Sequence, residues 1–402
     1  MKQSKHNIYY SPKEVRTILE RSIDTALDGL KGYCNDPVSD FTRCRKLPAR
    51  TLIECIMSFS NYSSIGELSH FFVGQGEMPS ASALSQRRQL LDPDIFKRIN
   101  NLFVSAFDDH TTINGYHILA QDGSDVNIPF MDDKTKTEMH DAKSFCQYHV
   151  NALYDCLNKV FYDWSIDAAS KKREVNALIS ILKDRNYPQN SIFTADRGYE
   201  SYNLMAHFIE NDTKFVIRVK DIHTKSGLMT NIKTEEGAFD MRINRTLTSL
   251  QTKEIKADKE KYIFVPSTSN FDFLDETRDF YDLSFRAVRF KISEDTYETV
   301  VTNLSEEEFK TEDFKELYHY RWNEETAFNK LKYTIGLVYF HARKRKLIQQ
   351  EINAAFLMYN VSEVIIRNID LKKNKKPKLE YDYKPNFSSA VTNIRLYLRK
   401  KI

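Results

Sequence analysis

The order of strand and helix patterns in the middle of this 402-residue chain constrains its fold most strongly. Strand segments are rich in β-branched and aromatic residues, whereas helical segments repeat apolar residues every three or four positions. The order is β-β-β-α-β-α-β, at 116–129, 147–156, 158–167, 171–184, 191–195, 200–210 and 214–219. Within 116–129 the strand is expected to end in a polar turn that begins at Asp122. Strands that alternate with helices build a sheet with helices packed on it. The sequence therefore predicts an α/β fold with one mixed sheet.

Different patterns flank this central part. Residues 1–110 carry helical spacing and helix caps, which predict a helical N-terminal region. Residues 221–305 are rich in strand formers and turns, which predict a β-rich insertion. Helical spacing returns afterwards, so we expect the core to consist of 111–220 and 306–340, followed by a basic helical C-terminal region at 341–402.

Charge is distributed unevenly, although the net charge is only +3. From His341 onward there are 15 Lys and Arg but 5 Asp and Glu, so the preceding part is acidic overall. A basic region is typical of a surface that binds a polyanion, and equally of a solvated tail. No apolar run approaches the roughly 18 residues that a membrane span needs, and no signal-peptide pattern is present. We expect a soluble, intracellular protein that does not bind membranes.

Four polar side chains share one face of the helix predicted over 318–332. At about 100° per residue they fall within an arc of roughly 60°; they are Tyr318, Arg321, Glu325 and Lys332. One carboxylate beside two cations and a phenol suits a metal ion and phosphate groups. The same face could instead be a solvated surface with salt bridges.

Two aspartates follow predicted strands. Asp122 lies where the first strand runs into Asp-Gly-Ser, and Asp196 follows the strand at 191–195. If these strands are neighbours, both side chains emerge at one edge, where Glu325 can join them. Three close carboxylates stay ionised only when a cation compensates them, and oxygen-only ligands favour Mg²⁺ or Mn²⁺. Each aspartate could instead be a turn or cap residue, and Asp125 is a rival for the role of Asp122.

These residues resemble a known family. The stretch from Tyr318 to Lys332 matches the Y-(2)-R-(3)-E-(6)-K signature of bacterial DDE transposases of the insertion-sequence-four type. The segments "AQDGSDVNIP" and "TADRGYES" resemble the two aspartate motifs of that family, and "VVTNL" resembles the strand before its glutamate helix. The resemblance covers about residues 75–365.

The resemblance implies a ribonuclease-H-like mixed-sheet core that is interrupted by the β-rich insertion. It implies cut-and-paste transposition, in which metal-dependent cleavage at element ends is followed by strand transfer of the 3′-OH into target DNA. The implied chemistry is two-metal phosphoryl transfer with Mg²⁺, or with Mn²⁺ as a substitute. The implied catalytic and metal-binding residues are Asp122, Asp196 and Glu325. The implied DNA-binding residues are Tyr318, Arg321 and Lys332.

The partners implied are double-stranded DNA, both as terminal inverted repeats and as target, and a second copy in a homodimeric synaptic complex. The implied location is the cytoplasm of a bacterium, at the nucleoid. Some relatives stack a flipped base on a tryptophan of the insertion, but Trp164 and Trp322 both lie outside it. A Phe or Tyr of the insertion could offer the same aromatic face, so the sequence leaves open whether cleavage passes through a hairpin. Two other functions also agree with the residues: a ribonuclease-H-like nuclease that cuts without joining, and a DNA-binding regulator that no longer cuts.

Overall fold

The computed structural model describes most of the chain. The described residues are 1–4, 8–43, 45–74, 76–108, 110–130, 136–137, 145–169, 174–224, 226–269, 271–294, 296–369 and 385–399. Much of the predicted basic tail, 371–380, therefore lies outside the described residues. None of the helices in these ranges is both long and apolar enough to cross a bilayer.

Five helices precede the first strand. They are α1 (Pro12–Asp28), α2 (Ala49–Met57), α3 (Ser64–Phe72), α4 (Ala81–Leu90) and α5 (Asp94–Val104). A capping box starts α1, because the Ser11 hydroxyl accepts from the Glu14 amide while the Glu14 carboxylate accepts from the Ser11 amide. The spacing of Ser64 and Glu67 predicts a second box, and that prediction is wrong. Ser63 caps α3, and Glu67 instead accepts from backbone amides that precede the helix.

The strands form one ten-stranded mixed sheet. They are β1 (His117–Ile128), β2 (Lys136–Thr137), β3 (Phe145–Asp155), β4 (Val160–Ala168), β5 (Ser191–Ala195), β6 (Lys214–Val219), β7 (Phe239–Thr248), β8 (Tyr262–Phe264), β9 (Phe280–Ser293) and β10 (Thr296–Thr302). The order is β2-β3-β1-β5-β6-β10-β9-β7-β8, and β4 pairs with β3. The pairs β1–β5 and β5–β6 are parallel, whereas β1–β3 and β6–β10 are antiparallel. The predicted mixed α/β architecture is confirmed, and strands from the range 221–305 continue the same sheet.

The remaining helices cover and extend this sheet. They are α6 (Glu174–Asp184), α7 (Tyr202–Glu210), α8 (Lys253–Ala257), α9 (Asp313–His319), α10 (Trp322–Asn329), α11 (Arg345–Arg367) and α12 (Phe387–Arg399). Side chains from α6 and α7 form one apolar cluster, and those from α11 and the N-terminal helices belong to the other.

Helix α11 belongs to the protein interior, although it lies in the region predicted as basic. Most of its residues from Leu347 to Ile365 are buried. Trp164 stacks on Phe356 of α11 at 4.4 Å between ring centroids, and its indole N–H donates to Asn353. Trp164 is therefore a core residue whose polar atom is satisfied inside the protein.

Candidate active site

Asp122 and Asp196 lie near each other, just beyond the point where the parallel pairing of β1 with β5 ends. The sequence predicts that β1 ends near Asp122, and this is wrong, because β1 stays paired with β3 as far as Ile128. Its pairing with β5 ends at Ala120 opposite Thr194. Asp122 lies two residues beyond Ala120, and Asp196 lies two residues beyond Thr194. Neighbouring strands are about 4.8 Å apart. The structure therefore brings these two carboxylates to one edge of the β1–β5 pair.

The helix predicted over 318–332 is not continuous. Helix α9 ends at His319, α10 begins at Trp322, and a π-helical segment follows at Lys330–Ile335. At the break the Arg321 amide bonds to the Tyr318 carbonyl, three residues back, instead of four. The prediction of one regular helix is wrong because hydrogen-bond spacing shortens at Arg321 and lengthens again at Lys330. Apolar periodicity alone does not reveal either change.

Arg321 joins two of the three predicted catalytic carboxylates. One of its terminal nitrogens is 2.8 Å from Glu325 Oε1, and the other is 3.6 Å from Asp122 Oδ2. The Arg321 side chain is only 6% exposed. A buried guanidinium between carboxylates supplies positive charge where the sequence predicts a metal ion.

Negative charge exceeds positive charge around Asp122. The pKa of Asp122 is raised to about 6, chiefly by burial and to a lesser degree by the charges of Asp196 and Glu174, against the opposing effect of the Gly123 amide and Arg321. Glu324 is fully buried beside it. Among the described residues, no side chain donates a hydrogen bond to the carboxyl oxygens of Glu324, and the backbone donor that faces them is the Asp122 amide. Burial, followed by the charge of Asp122, raises the pKa of Glu324 far above its usual value.

The three predicted DNA-binding residues lie in different surroundings. Arg321 is bound to carboxylates, and its guanidinium carbon is 5.7 Å from the centroid of the buried Tyr318 ring. Tyr318 lines an open cavity of about 700 Å³, together with Arg218, Lys315, His319 and Trp322. Lys332 is half-buried on the π-helical segment; burial lowers its pKa, and the charge of Asp125 opposes that effect. Of these three residues, Arg321 is the one with a described contact to the predicted carboxylates.

A cluster that the sequence does not reveal adjoins the aspartates. Its members are Asp125 on β1, His149 on β3 and Glu174 at the start of α6. His149 Nδ1 is 2.7 Å from Asp125 Oδ1, and Nε2 is 3.0 Å from Glu174 Oε1. Burial alone would lower the pKa of His149, but the two carboxylates outweigh it and raise the pKa. Asp125, considered above as a rival of Asp122, is instead a partner of this histidine.

Gly123 leaves the space that this cluster occupies. A Cβ atom at this position would lie 2.3 Å from His149 Nε2 and 2.8 Å from Glu174 Oε1. Both distances are below van der Waals contact, so the cluster would have to move. A glycine inside a strand is otherwise unfavourable, so the close approach of His149 and Glu174 explains why this position is a glycine.

We expect Gly123→Ala to lower the free energy of unfolding by about 1–3 kcal/mol, the usual effect of overpacking. Urea denaturation followed by circular dichroism measures it. Gly32→Ala is the matched control, because a Cβ there meets nothing within 4 Å and reduces the freedom of the unfolded chain. Equal stability of the two variants would mean that the strand yields without strain.

The carboxylates fit a divalent cation by their chemistry. Asp122, Asp196 and Glu325 offer only oxygen donors, which Mg²⁺ and Mn²⁺ prefer. Each of the three predicted ligands has an internal partner in this structure: Arg321 for Glu325 and Asp122, and the Gly198 amide for Asp196 Oδ1. In the described part of the chain, no three His, Cys or acidic side chains are grouped as a ready metal site. Cation binding would therefore replace internal contacts.

Comparisons with known proteins place this geometry in context. A family model described as the transposase DDE domain matches residues 113–361, which is more than half of the chain. A search of curated protein sequences found no significant match. Among solved structures, the chain is similar to one described as the cryo-EM structure of the piggyBac transposase synaptic complex with hairpin DNA, at 12% sequence identity and a TM-score of 0.49. That match covers 98% of this chain and 81% of the other.

Proposed function

This chain belongs to the transposase DDE domain family, and we propose that it is a DNA transposase of the insertion-sequence-four type. It would cut DNA at the ends of a mobile element and join the freed 3′-OH to target DNA. One observation carries the proposal: within the matched range, Asp122 and Asp196 lie at equivalent positions of two parallel strands, and Arg321 links Asp122 to Glu325.

The rest of the fold is assigned accordingly. Residues 111–220 and 306–340 would form a ribonuclease-H-like catalytic core, and 221–305 an insertion in it. The helical region 1–110 would bind the DNA ends, which are terminal inverted repeats. The basic region 341–402, apart from the buried helix α11, would add to the nucleic-acid surface. Two ends must be held together, so the active form would be a homodimer on DNA, at the bacterial nucleoid.

The chemistry is phosphoryl transfer. Mg²⁺ bound by Asp122, Asp196 and Glu325 would stabilise charge on the scissile phosphate and lower the pKa of a water molecule. The carboxylates hold and orient that centre, and they form no covalent bond to DNA. The same site would serve cleavage and strand transfer, because in both reactions an oxygen attacks a phosphorus atom in line with the leaving oxygen.

Arg321 would change partners during this reaction. It now pairs with Asp122 and Glu325, and a bound phosphate group offers an alternative bidentate partner. Movement of the guanidinium to phosphate would release carboxylate oxygens at the moment DNA arrives. Tyr318, whose ring lies beside Arg321, would donate a hydrogen bond to the same phosphate region.

The test is an assay with the DNA that flanks the gene. Purified protein with Mg²⁺ is expected to nick at inverted repeats and to join pre-cut ends with a free 3′-OH to a plasmid, and EDTA should stop both reactions. Cleavage without joining would identify a nuclease instead. Metal-independent binding without any nicking would identify a regulator.

Lys332→Ala tests the proposed phosphate contact. Each neutralised phosphate contributes about 0.9 to the slope of log K against log salt concentration. We expect weaker binding to all DNA sequences and a slope smaller by about one. Fluorescence anisotropy at several salt concentrations measures both quantities, with Lys233→Ala, a 92% exposed lysine of the insertion, as a comparison. An unchanged slope for Lys332→Ala would mean that Lys332 neutralises no phosphate and interacts with Asp125 instead.

A further inference from the structure

Glu174 lies beside the two aspartates, although the sequence gives no indication of it. A Cβ atom on Gly123, the residue after Asp122, would be 2.8 Å from Glu174 Oε1. A Cβ atom on Gly198, two residues after Asp196, would be 3.9 Å from Glu174 Oε2. The carboxylate of Glu174 therefore lies between the backbone segments that carry Asp122 and Asp196.

His149 is in direct contact with the Glu174 carboxylate. The imidazole is 3% exposed and is bound on both sides, by Asp125 Oδ1 at Nδ1 and by Glu174 Oε1 at Nε2. Asp125 and His149 are also direct partners across the β1–β3 pair, so the backbone fixes their separation. A buried ring that is fixed in this way can orient the glutamate, as hydrogen-bonded partners of metal ligands do.

Acidic groups are crowded around Asp122. The charges of Asp196 and Glu174 both raise its pKa, and a terminal nitrogen of Arg321 lies 3.6 Å from Asp122 Oδ2. The independent indication of a ligand is Glu324, which is completely buried next to Asp122. Within the described residues no side chain donates a hydrogen bond to its oxygens, and the backbone donor that faces them is the Asp122 amide. Buried carboxyl oxygens without a side-chain donor beside an acidic cluster indicate that a cation or its bound water belongs there.

We propose that Glu174 is a fourth carboxylate ligand of the divalent-cation site assigned above, and that His149 positions it. This inference rests on the proposed function. Four carboxylate groups, with Glu174 supplied by the helix that follows β4, would give the cations more oxygen donors than the three residues of the motif. The simpler role is an ion pair that fastens α6 to the sheet, and the experiment separates the two.

Mn²⁺ binding to the full-length protein, followed by calorimetry and electron paramagnetic resonance, is the direct readout. Glu174→Gln is expected to weaken Mn²⁺ binding about tenfold or more, in the same direction as Glu325→Gln. Glu254→Gln is the matched control, because Glu254 also lies in the first turn of a helix but is exposed in the insertion. Near-ultraviolet circular dichroism checks that each variant is folded.

Two further variants keep the test decisive if Glu174→Gln does not fold. Glu174→Asp keeps the charge but withdraws it by one methylene, and it should also weaken Mn²⁺ binding. His149→Gln, whose amide can still donate to Glu174, should retain affinity that His149→Leu loses. Mn²⁺ affinity equal to wild type in the folded Glu174 variants, with loss in Glu325→Gln, would overturn this inference and leave the proposed function intact. No Mn²⁺ binding by the wild-type chain would count against both.

Discussion

Glu325→Gln is expected to reduce DNA cleavage by about 10²–10³-fold while DNA binding is retained. A metal ion contributes several kcal/mol of charge stabilisation at the reacting phosphate, and each 1.36 kcal/mol corresponds to a factor of ten in rate. The amide has nearly the same size and still lies next to Arg321, but it cannot supply an anionic oxygen. Nicking of a labelled DNA end at saturating protein concentration measures the loss, and gel shift measures binding.

Glu307→Gln is the control for this experiment, because Glu307 is exposed and precedes α9. It should leave cleavage unchanged. Asp122→Asn and Asp196→Asn should resemble Glu325→Gln if the three carboxylates act as one centre. Cleavage by Glu325→Gln at the wild-type rate, with Mg²⁺ present, would remove Glu325 from the catalytic set.

The element order was predictable because it depends on local patterns. Strand β6 was expected at 214–219 and is observed at Lys214–Val219, and the hairpin between β3 and β4 turns at Cys156–Lys159 as the sequence indicates. Alternation of buried residues and turn chemistry are properties of neighbouring residues, so they can be seen in the sequence. The sequence also places Asp122 and Asp196 together, because each follows a run of apolar strand residues, although β1 continues past Asp122.

The parts that were missed depend on contacts between distant residues. Glu174 and His149 are 25 positions apart, and only the sheet brings them together. The break at Arg321 has no proline or glycine to announce it, because Tyr320 and Arg321 both keep right-handed helical angles. Glu324 and Glu325 are adjacent residues of the same type, yet Glu324 is fully buried, whereas Glu325 is partly exposed and paired with Arg321. Tertiary packing, rather than local preference, decides each of these cases.

Arg87 and Arg88 show the same limit, since the sequence suggests a phosphate contact or an exposed pair for both. Arg88 is 3% exposed, and it donates to Glu351 Oε1 at 2.6 Å and to the Leu347 carbonyl at 2.8 Å. The other oxygen of Glu351 accepts from the His341 amide at 2.9 Å. Arg88 therefore ties α4 to α11 through an ion pair in the interior. Arg87 is partly exposed, with its guanidinium 4.1 Å from the Phe41 ring centroid.

Arg88→Met should lower the free energy of unfolding at pH 7 by about 3–5 kcal/mol, because it leaves the Glu351 carboxylate buried without its main partner. Arg87→Met, the control, should cost about 1 kcal/mol. Burial would raise the pKa of Glu351, but Arg88 and His341 outweigh it and lower the pKa below 4.5. The ion pair therefore stabilises the fold at pH values above 4.5. Its contribution to the free energy of unfolding is lost as the pH falls through the lowered pKa of Glu351. Urea denaturation at pH 7 and at pH 4 measures this, and the loss of unfolding free energy caused by Arg88→Met should be smaller at pH 4 than at pH 7. If Arg88→Met and Arg87→Met lowered the free energy of unfolding equally at pH 7, the buried ion pair would be contradicted.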